Sequence, residues 1–466
     1  MSVRGRTTLL GLALSVVACD DTPDATGPAA PTIVAAAVAA NPHNAISAIV
    51  HIRASLADSV AVRVAAATGD GSSDVLTPAV RVAGDSAAVP VLGLVPSTAY
   101  VLQPIVYGAG KAAGPELAFA SGALPSDIPR YSAGGPDPSP GFVVLAAGLY
   151  GLVLDNTGRV VWYRRFPEGP GLNFVAGFNG RYAARPPTIN PADAGAWVEV
   201  DPLGNETRRL TCANGLRPRL HDLIADPDGS YWLLCDETRT MDLSAIGGVA
   251  GARVTGTVVR HIAADGDVLF SWSAFDHFAL TDVAESERTG ASVNWTHGNS
   301  IDVDIDGHLI VSFRNLGEVT KIDGRTGSVL WRMGGRANEI AFVDVPPPSF
   351  VGQHSARSLG AGEIVLLDNI GDPVQSRTRR FVVDEATRSA RLVHSYASTP
   401  GVSTLIGGSV QPLPRGRTLV SFGTAGRVEE YDDSGRVVWR IDGHAGYVFR
   451  AQRIRSLYAP GVGTSR

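Results

Sequence analysis

Three histidines carry the first chemical argument. His221, His297 and His354 open three similar stretches, "HDLIADPDGSYWLL", "HGNSIDVDIDGHLIVSF" and "QHSARSLGAGEIVLL" (from Gln353). Each histidine stands just before an apolar run, a turn and a second apolar run. A neutral imidazole nitrogen is a nucleophile or a proton carrier. Arg314 closes the second stretch at "IVSFRN", and a guanidinium is a ready two-pronged clamp for a tetrahedral oxyanion. One such histidine in a repeat would be a residue bonding its neighbour. Three in phase, with a cation at the end of one hairpin, converge on a single pocket.

The elements that must hold them are repeated hairpins. Six segments share an apolar strand, a turn with Asp and usually Gly, and a second strand often closed by an aromatic: Gly151 to Phe166, Trp197 to Leu210, Thr257 to Trp272, Val319 to Trp331, Arg380 to Tyr396 and Val428 to Trp439. Turns centred on Asn156-Thr157-Gly158, Gly266, Gly324 and Ser434-Gly435 suit hairpins, because Gly and Asn tolerate positive φ. The histidine stretches and "SVQPLPRGRTLVSF" form a second hairpin type between them. Two hairpins per repeat make a four-stranded blade, and six repeats make a six-bladed β-propeller over residues 129–466. In that architecture the histidine position lies at the mouth of the central channel, and Gly408-Ser409 fill it in the last blade.

The rest of the chain frames this body. Of 466 residues, 44% are hydrophobic and 18% charged, enough for a large core and too apolar for disorder. The net charge of -5 gives no general attraction to nucleic acid or anionic lipid. Residues 1–18 read as a lipoprotein signal, with Arg4 and Arg6 before the apolar run Leu9 to Ala18. "VVAC" ending at Cys19 resembles a lipobox, which makes Cys19 the lipidation site and residues 19–31 a flexible tether; an ordinary signal peptide is the other form this segment allows. The expected location is therefore outside the cytoplasm, periplasmic or cell-surface, held by a lipid anchor. Removing Cys19 leaves Cys212 and Cys235, a candidate disulfide in an oxidising compartment, with two free thiols on neighbouring strands as the alternative. Residues 32–126 alternate like a small β-sandwich, and "LVPSTAY" to Tyr100 resembles the tyrosine corner of fibronectin type III domains. The fold class is thus all-β, a six-bladed propeller behind a fibronectin-III-like domain.

The motifs "NWTHGNS", "SFRN", "GQHSAR", "GRVEEYDDSGRVVWR" and "FRAQRIRSLY" resemble those of the bacterial arylsulfate sulfotransferases, periplasmic six-bladed propellers with a small N-terminal β-domain. The resemblance covers nearly all of the chain after Ile128. It implies transfer of a sulfuryl group from a phenolic sulfate ester to another phenol, by a ping-pong route through a sulfohistidine and without a nucleotide donor. His354 would be the nucleophile, His297, His221 and Arg314 would complete the catalytic set, and Asn299 and Thr424 would bind substrate. Trp295, Phe313 and Phe350 are candidates for an aromatic acceptor wall, or else blade core.

No cofactor or metal is expected: there is no Walker loop, no CxxC and no HExxH. The partners expected are an aryl sulfate donor and a phenolic acceptor. Asp226 to Gly229 and Asp304 to Gly307 read as hairpin turns rather than calcium loops. Two other readings stand beside the transferase: a non-catalytic cell-surface propeller lipoprotein that binds a ligand, and a quinoprotein-like dehydrogenase or lyase on the same fold.

Overall fold

The computed structural model describes residues 1, 29–68, 74–187, 195–345, 349–371 and 373–461. Cys19 and its flanking leader lie outside them. The described chain is all-β, interrupted by four single-turn 3-10 helices.

Six sheets follow one another after residue 140, antiparallel except for two short parallel additions, Ser292–Asn294 in the third and Ala341–Phe342 in the fifth. The strands of sheet 1 run inside to outside as Ala451–Ile454, Phe142–Ala147, Tyr150–Leu154 and Val160–Arg165. Sheet 2 begins at Phe174–Ala176, sheet 3 at Arg217–Ala225, sheet 4 at Gly298–Val303, sheet 5 at His354–Gly360 and sheet 6 at Ser409–Pro412, each adding three more strands in chain order. Sheets 5 and 6 each gain a short outer strand, from Ala341–Phe342 and Ala133–Gly134. All six outer repeat segments read from the sequence lie on hairpins of these sheets. Gly158, Gly266 and Gly435 take left-handed φ values of 87°, 98° and 84° in their turns. In sheet 4 the left-handed residue is Gly327 (φ 78°), not Gly324: the Asp323 N–H bonds the Ser328 carbonyl, so the turn is wider than the two-residue one expected.

Innermost strands would leave a row of backbone N–H groups unpaired. Here the preceding sheet's inner strand satisfies them through side chains. Ile301 N–H donates to Asp222 Oδ2 at 3.0 Å, Ala356 N–H to Ser300 Oγ at 2.9 Å and Ser358 N–H to Asp302 Oδ2 at 2.9 Å. Val410 N–H donates to Ser355 Oγ at 3.1 Å and Ala451 N–H to Ser409 Oγ at 3.1 Å. Ala176 N–H reaches Gln452 Oε1 at 2.8 Å, and Asn173 Nδ2 donates to the His221 carbonyl at 2.8 Å. These contacts run from sheet to sheet until the circle closes. On the outer strands, Trp162, Trp331 and Trp439 are buried and each donates its indole N–H to the next sheet, to Pro202 O, Glu385 Oε1 and Asn156 O.

Two further sheets precede the six. One orders Thr32–Ala40, Ala48–Ser55 and Ser86–Val91; the other is built on Ala57–Ala66 and Ala99–Gly108. Alternate burial along Ala48–Ser55 puts Ala48, Val50, Ile52 and Ala54 into a core shared with Val60, Val62 and Leu102. The same core continues into Val143, Leu145 and Leu152 of sheet 1. The Val95 N–H donates to the Tyr100 hydroxyl at 2.8 Å, a corner contact of the kind the sequence suggested.

Sheet 1 depends on the distant strand Ala451–Ile454, which pairs with Phe142–Leu145. Gly141 sits at that seam with φ 108°, and a Cβ there would meet the Ile454 carbonyl at 2.1 Å. Gly141→Ala is therefore expected to lower unfolding stability by about 2–4 kcal/mol, read as a reduced denaturant midpoint. An unchanged midpoint would show that the seam does not hold the fold.

Candidate active site

The inner strands deliver the histidines in register. His354 begins the inner strand of sheet 5, His297 immediately precedes that of sheet 4, and His221 lies inside that of sheet 3. His297 itself (φ 48°) and Ser355 after His354 (φ 56°) hold left-handed backbone, strain of a kind that accumulates at functional sites. The corresponding points of the other three sheets bear Asn173, Gly408 and Arg450.

The imidazoles come together. His221 Nε2 and His297 Nε2 are 3.2 Å apart, and their rings meet edge to face. Asn294 Nδ2 lies 2.7 Å from His297 Nδ1. That contact makes Nδ1 the acceptor, so the network assigns the His297 proton to Nε2 and directs it at the His221 Nε2 lone pair. His354 Nδ1 is 2.9 Å from Asn369 Oδ1 and 3.0 Å from the Gly352 carbonyl, two acceptors that place its proton on Nδ1. Its Nε2 is then unprotonated, and among the described residues the Gly407 N–H approaches it at 3.3 Å. The Phe449 ring packs edge-on against both His221 and His354.

Cations surround these rings. The Arg314 N–H bonds the His297 carbonyl, and its guanidinium donates to Asn315 Oδ1 and Leu405 O at 3.2 Å each. Arg219 is buried against Asp236, and its Nε has no hydrogen-bond partner among the described residues. Burial, then the charge of Arg219, holds His297 down at about 3. Burial likewise lowers His354 to about 4, with Arg314 and Arg450 opposing its protonation and the Asn369 contact favouring it. His221 is pushed well below the ordinary imidazole range by burial and then by Arg219. All three rings are neutral at pH 7.

The other expected site residues take supporting places. Asn299 is buried, and its amide donates to the Gln353 carbonyl at 2.7 Å, bracing the chain next to His354. Thr424 is exposed, and its hydroxyl is 2.8 Å from that of Thr404, whose carbonyl accepts from Asn369. Trp295, Phe313 and Phe350 do not form an acceptor wall: they are at most 3% exposed and belong to sheet cores, against Phe275, Trp272 and Phe381 respectively. Cys212 and Cys235 are bonded, with Cα atoms 6.1 Å apart, and tie the loop before the His221 strand to the strand after it. Asp226 and Asp304 form hairpin turns closed by backbone bonds to Ser230 and His308. Among the described residues no cluster of three or more His, Cys, Asp or Glu side chains is arranged to hold a metal ion.

Sequence reasoning missed Asn369, Arg219, Phe449 and Arg450. Phe449 and Arg450 fall in phase with the histidines once Ala451–Ile454 is recognised as an inner strand, a signal hidden because that strand belongs to the first sheet. Arg450 donates to the His221 carbonyl and pairs with Asp222 at 3.1 Å, and Arg357 pairs with Asp222 at 2.8 Å. This buried layer separates the histidines from a cavity of about 640 Å³ at the other end of the inner strands, lined from Asp222, Asp302, Arg357, Ser409 and Arg450 onward. None of the three histidines lines it.

Residues 217–444, which include all three histidines and Arg314, match the family model for arylsulfotransferase (ASST). Over this segment the chain is similar to the arylsulfotransferase family. No curated protein matches it. Among solved structures, a protein of unknown function from Bacteroides caccae is 14% identical with a TM-score of 0.45, over 68% of this chain and 100% of that one. A virginiamycin B lyase from Staphylococcus aureus is 10% identical (TM-score 0.36; 66% and 87% covered), and an auxiliary nutrient binding protein from Bacteroides ovatus is 10% identical (TM-score 0.35; 84% and 81% covered). Likeness at these scores carries no argument about the activity.

The buried neutral imidazoles fix a pH response. Unfolded histidines take up protons from about pH 6.5, whereas the folded ones resist until lower pH. Their contribution to stability is therefore complete above pH 6.5 and is lost as pH falls toward 4. The thermal midpoint of wild type should drop over that window, and a His221→Gln/His297→Gln double variant should drop less. Equal slopes in calorimetry would show that these rings do not carry the effect.

Proposed function

We propose that this protein is an arylsulfate sulfotransferase that works by two displacements on His354. The observation that carries the reading is the meeting of three neutral imidazoles with Arg314 and Arg219, where the Nε2 lone pair of His354 is free of a proton. In the first step Nε2 forms a bond to sulfur, the bond from sulfur to the aryl oxygen breaks, and the phenolate leaves with its electron pair. The product is a sulfuryl group on an imidazolium ring that keeps its Nδ1 proton. In the second step a phenol attacks sulfur, the N–S bond returns its electrons to Nε2, and the phenol proton passes to the His221–His297 pair.

Charge spreads over the sulfuryl oxygens in both displacements, and Arg314, Arg219 and the His297 pair supply fixed positive ends of dipoles and charges. Three features support an aryl sulfate over a neutral ester: no carboxylate contacts the three imidazoles among the described residues, Asp222 beneath them is held by Arg357 and Arg450, and the Phe449 ring flanks both His221 and His354. The six sheets are, in this reading, the blades of one propeller over residues 129–466, behind a fibronectin-III-like domain of residues 32–126. Export and lipidation at Cys19 complete it.

Transfer from p-nitrophenyl sulfate to phenol tests the proposal. Wild type should release nitrophenolate faster with acceptor present and carry a sulfuryl adduct by intact mass without it; His354→Ala should do neither. Arg314→Lys, which keeps charge but loses the planar fork, should reduce kcat about 10²–10³-fold. Tight binding of the sulfate ester with no turnover and no adduct in wild type would replace the transferase by a binding propeller.

A further inference from the structure

Asn369 directly follows the second strand of sheet 5, Glu363–Asp368, and is fully buried. Its two amide atoms do different things. Oδ1 accepts from His354 Nδ1 at 2.9 Å, while Nδ2 donates to the Gly407 carbonyl at 2.9 Å and the Thr404 carbonyl at 3.1 Å. Gly407 in turn directs its N–H at His354 Nε2 from 3.3 Å, on left-handed backbone (φ 71°). One side chain thus ties both edges of the imidazole: directly at Nδ1, and through the Thr404–Gly407 segment at Nε2.

Building on the transferase reading, we propose that Asn369 is a positioning residue that keeps the His354 proton on Nδ1, leaves Nε2 as the attacking atom, and sets the Gly407 N–H where a sulfuryl oxygen arrives. The donor to Nε2 is long and weak, so an incoming sulfuryl oxygen takes it over as the nitrogen lone pair goes into the new bond to sulfur. The choice of amide over carboxylate also has a chemical meaning. The adduct ring is a cation, and a carboxylate at Nδ1 would neutralise it and make it a poorer sulfuryl donor. A neutral amide orients the ring and leaves the adduct reactive.

The charged surroundings of His354 make this distinction measurable. From sheets 3 and 4 it faces His221, His297 and Arg314, and from the segment before the closing strand Phe449 and Arg450. On its own sheet, Asp368 beside Asn369 is already paired with Arg379 at 2.9 Å. An added carboxylate at position 369 would be the first negative charge on the ring.

The test compares wild type with Asn369→Ala, Asn369→Asp and Asn369→Ser for the adduct-forming half-reaction across pH. Asn369→Ala should lose about 10–100-fold in kcat/KM without raising the acid limb, and Asn369→Ser should recover part of it through its hydroxyl. Asn369→Asp should move the acid limb up by about one to three units and lengthen the lifetime of the adduct. If Asn369→Asp does not fold, as judged by circular dichroism, the order wild type, Ser, Ala carries the comparison. One acid limb common to all folded variants, with equal losses, would overturn the proposal and leave Asn369 a purely structural anchor. Carbethoxylation of His354 by diethyl pyrocarbonate, followed against pH by peptide mass spectrometry, reads the same ring without sulfuryl transfer. A shifted profile in Asn369→Asp with no transferase activity in wild type would sink the function and keep the positioning.

Discussion

The backbone N–H groups on the innermost strands are the constraint on which the molecule depends. The inner strands of the six sheets have no neighbouring strand to accept those bonds, and a buried unpaired N–H is costly. The chain answers with short side chains at fixed places on the preceding sheet: Asp222, Ser300, Asp302, Ser355, Ser409 and Gln452. Because each side chain accepts from the next sheet, the spacing between sheets is set at the axis. The residues just upstream of those contacts are the histidines. Their mutual distances follow from the same bonds that keep the sheets together.

That framework also governs charge. Asp222 serves the ring by accepting from Ile301 and is neutralised beneath the pocket by Arg357 and Arg450. The pocket side is left with cations and neutral imidazoles. A buried histidine between two guanidinium groups stays unprotonated, which is the state a nucleophile needs and the wrong state for a strong acid. Under the proposed transfer, such an arrangement favours leaving groups that depart as anions, and phenolates do so more readily than alkoxides.

The repeat made most of the fold legible. Hairpins with Gly and Asp turns, closing aromatics and in-phase histidines appear in the sequence because each depends on local chemistry: positive φ at Gly158 or Gly435, apolar alternation, an indole reaching the next sheet. Two kinds of information were not local. The first sheet takes its inner strand from Ala451–Ile454, more than 300 residues from its partner at Phe142, so the in-phase Phe449 and Arg450 read as a tail. Asn369 acts on His354 from just past the end of the next strand and Arg219 on His297 from the His221 strand of the preceding sheet, and nothing in "LLDNIGDP" or "LRPRLHD" distinguishes them from turn and edge residues. Trp295, Phe313 and Phe350 show the converse, since aromatic type near a site motif does not reveal which face of a strand it occupies.

The seam between Phe142–Leu145 and Ala451–Ile454 bears on how the protein is made. During synthesis the first sheet waits with an open inner edge until the last strand emerges, and the strand that closes it follows directly on Phe449 and Arg450, which complete the surroundings of His221 and His354. The ring and the reactive centre are therefore finished by one late event. A chain terminated before Ala451–Ile454 lacks the inner strand of its first sheet and, under the proposed transfer, the surroundings its nucleophile needs.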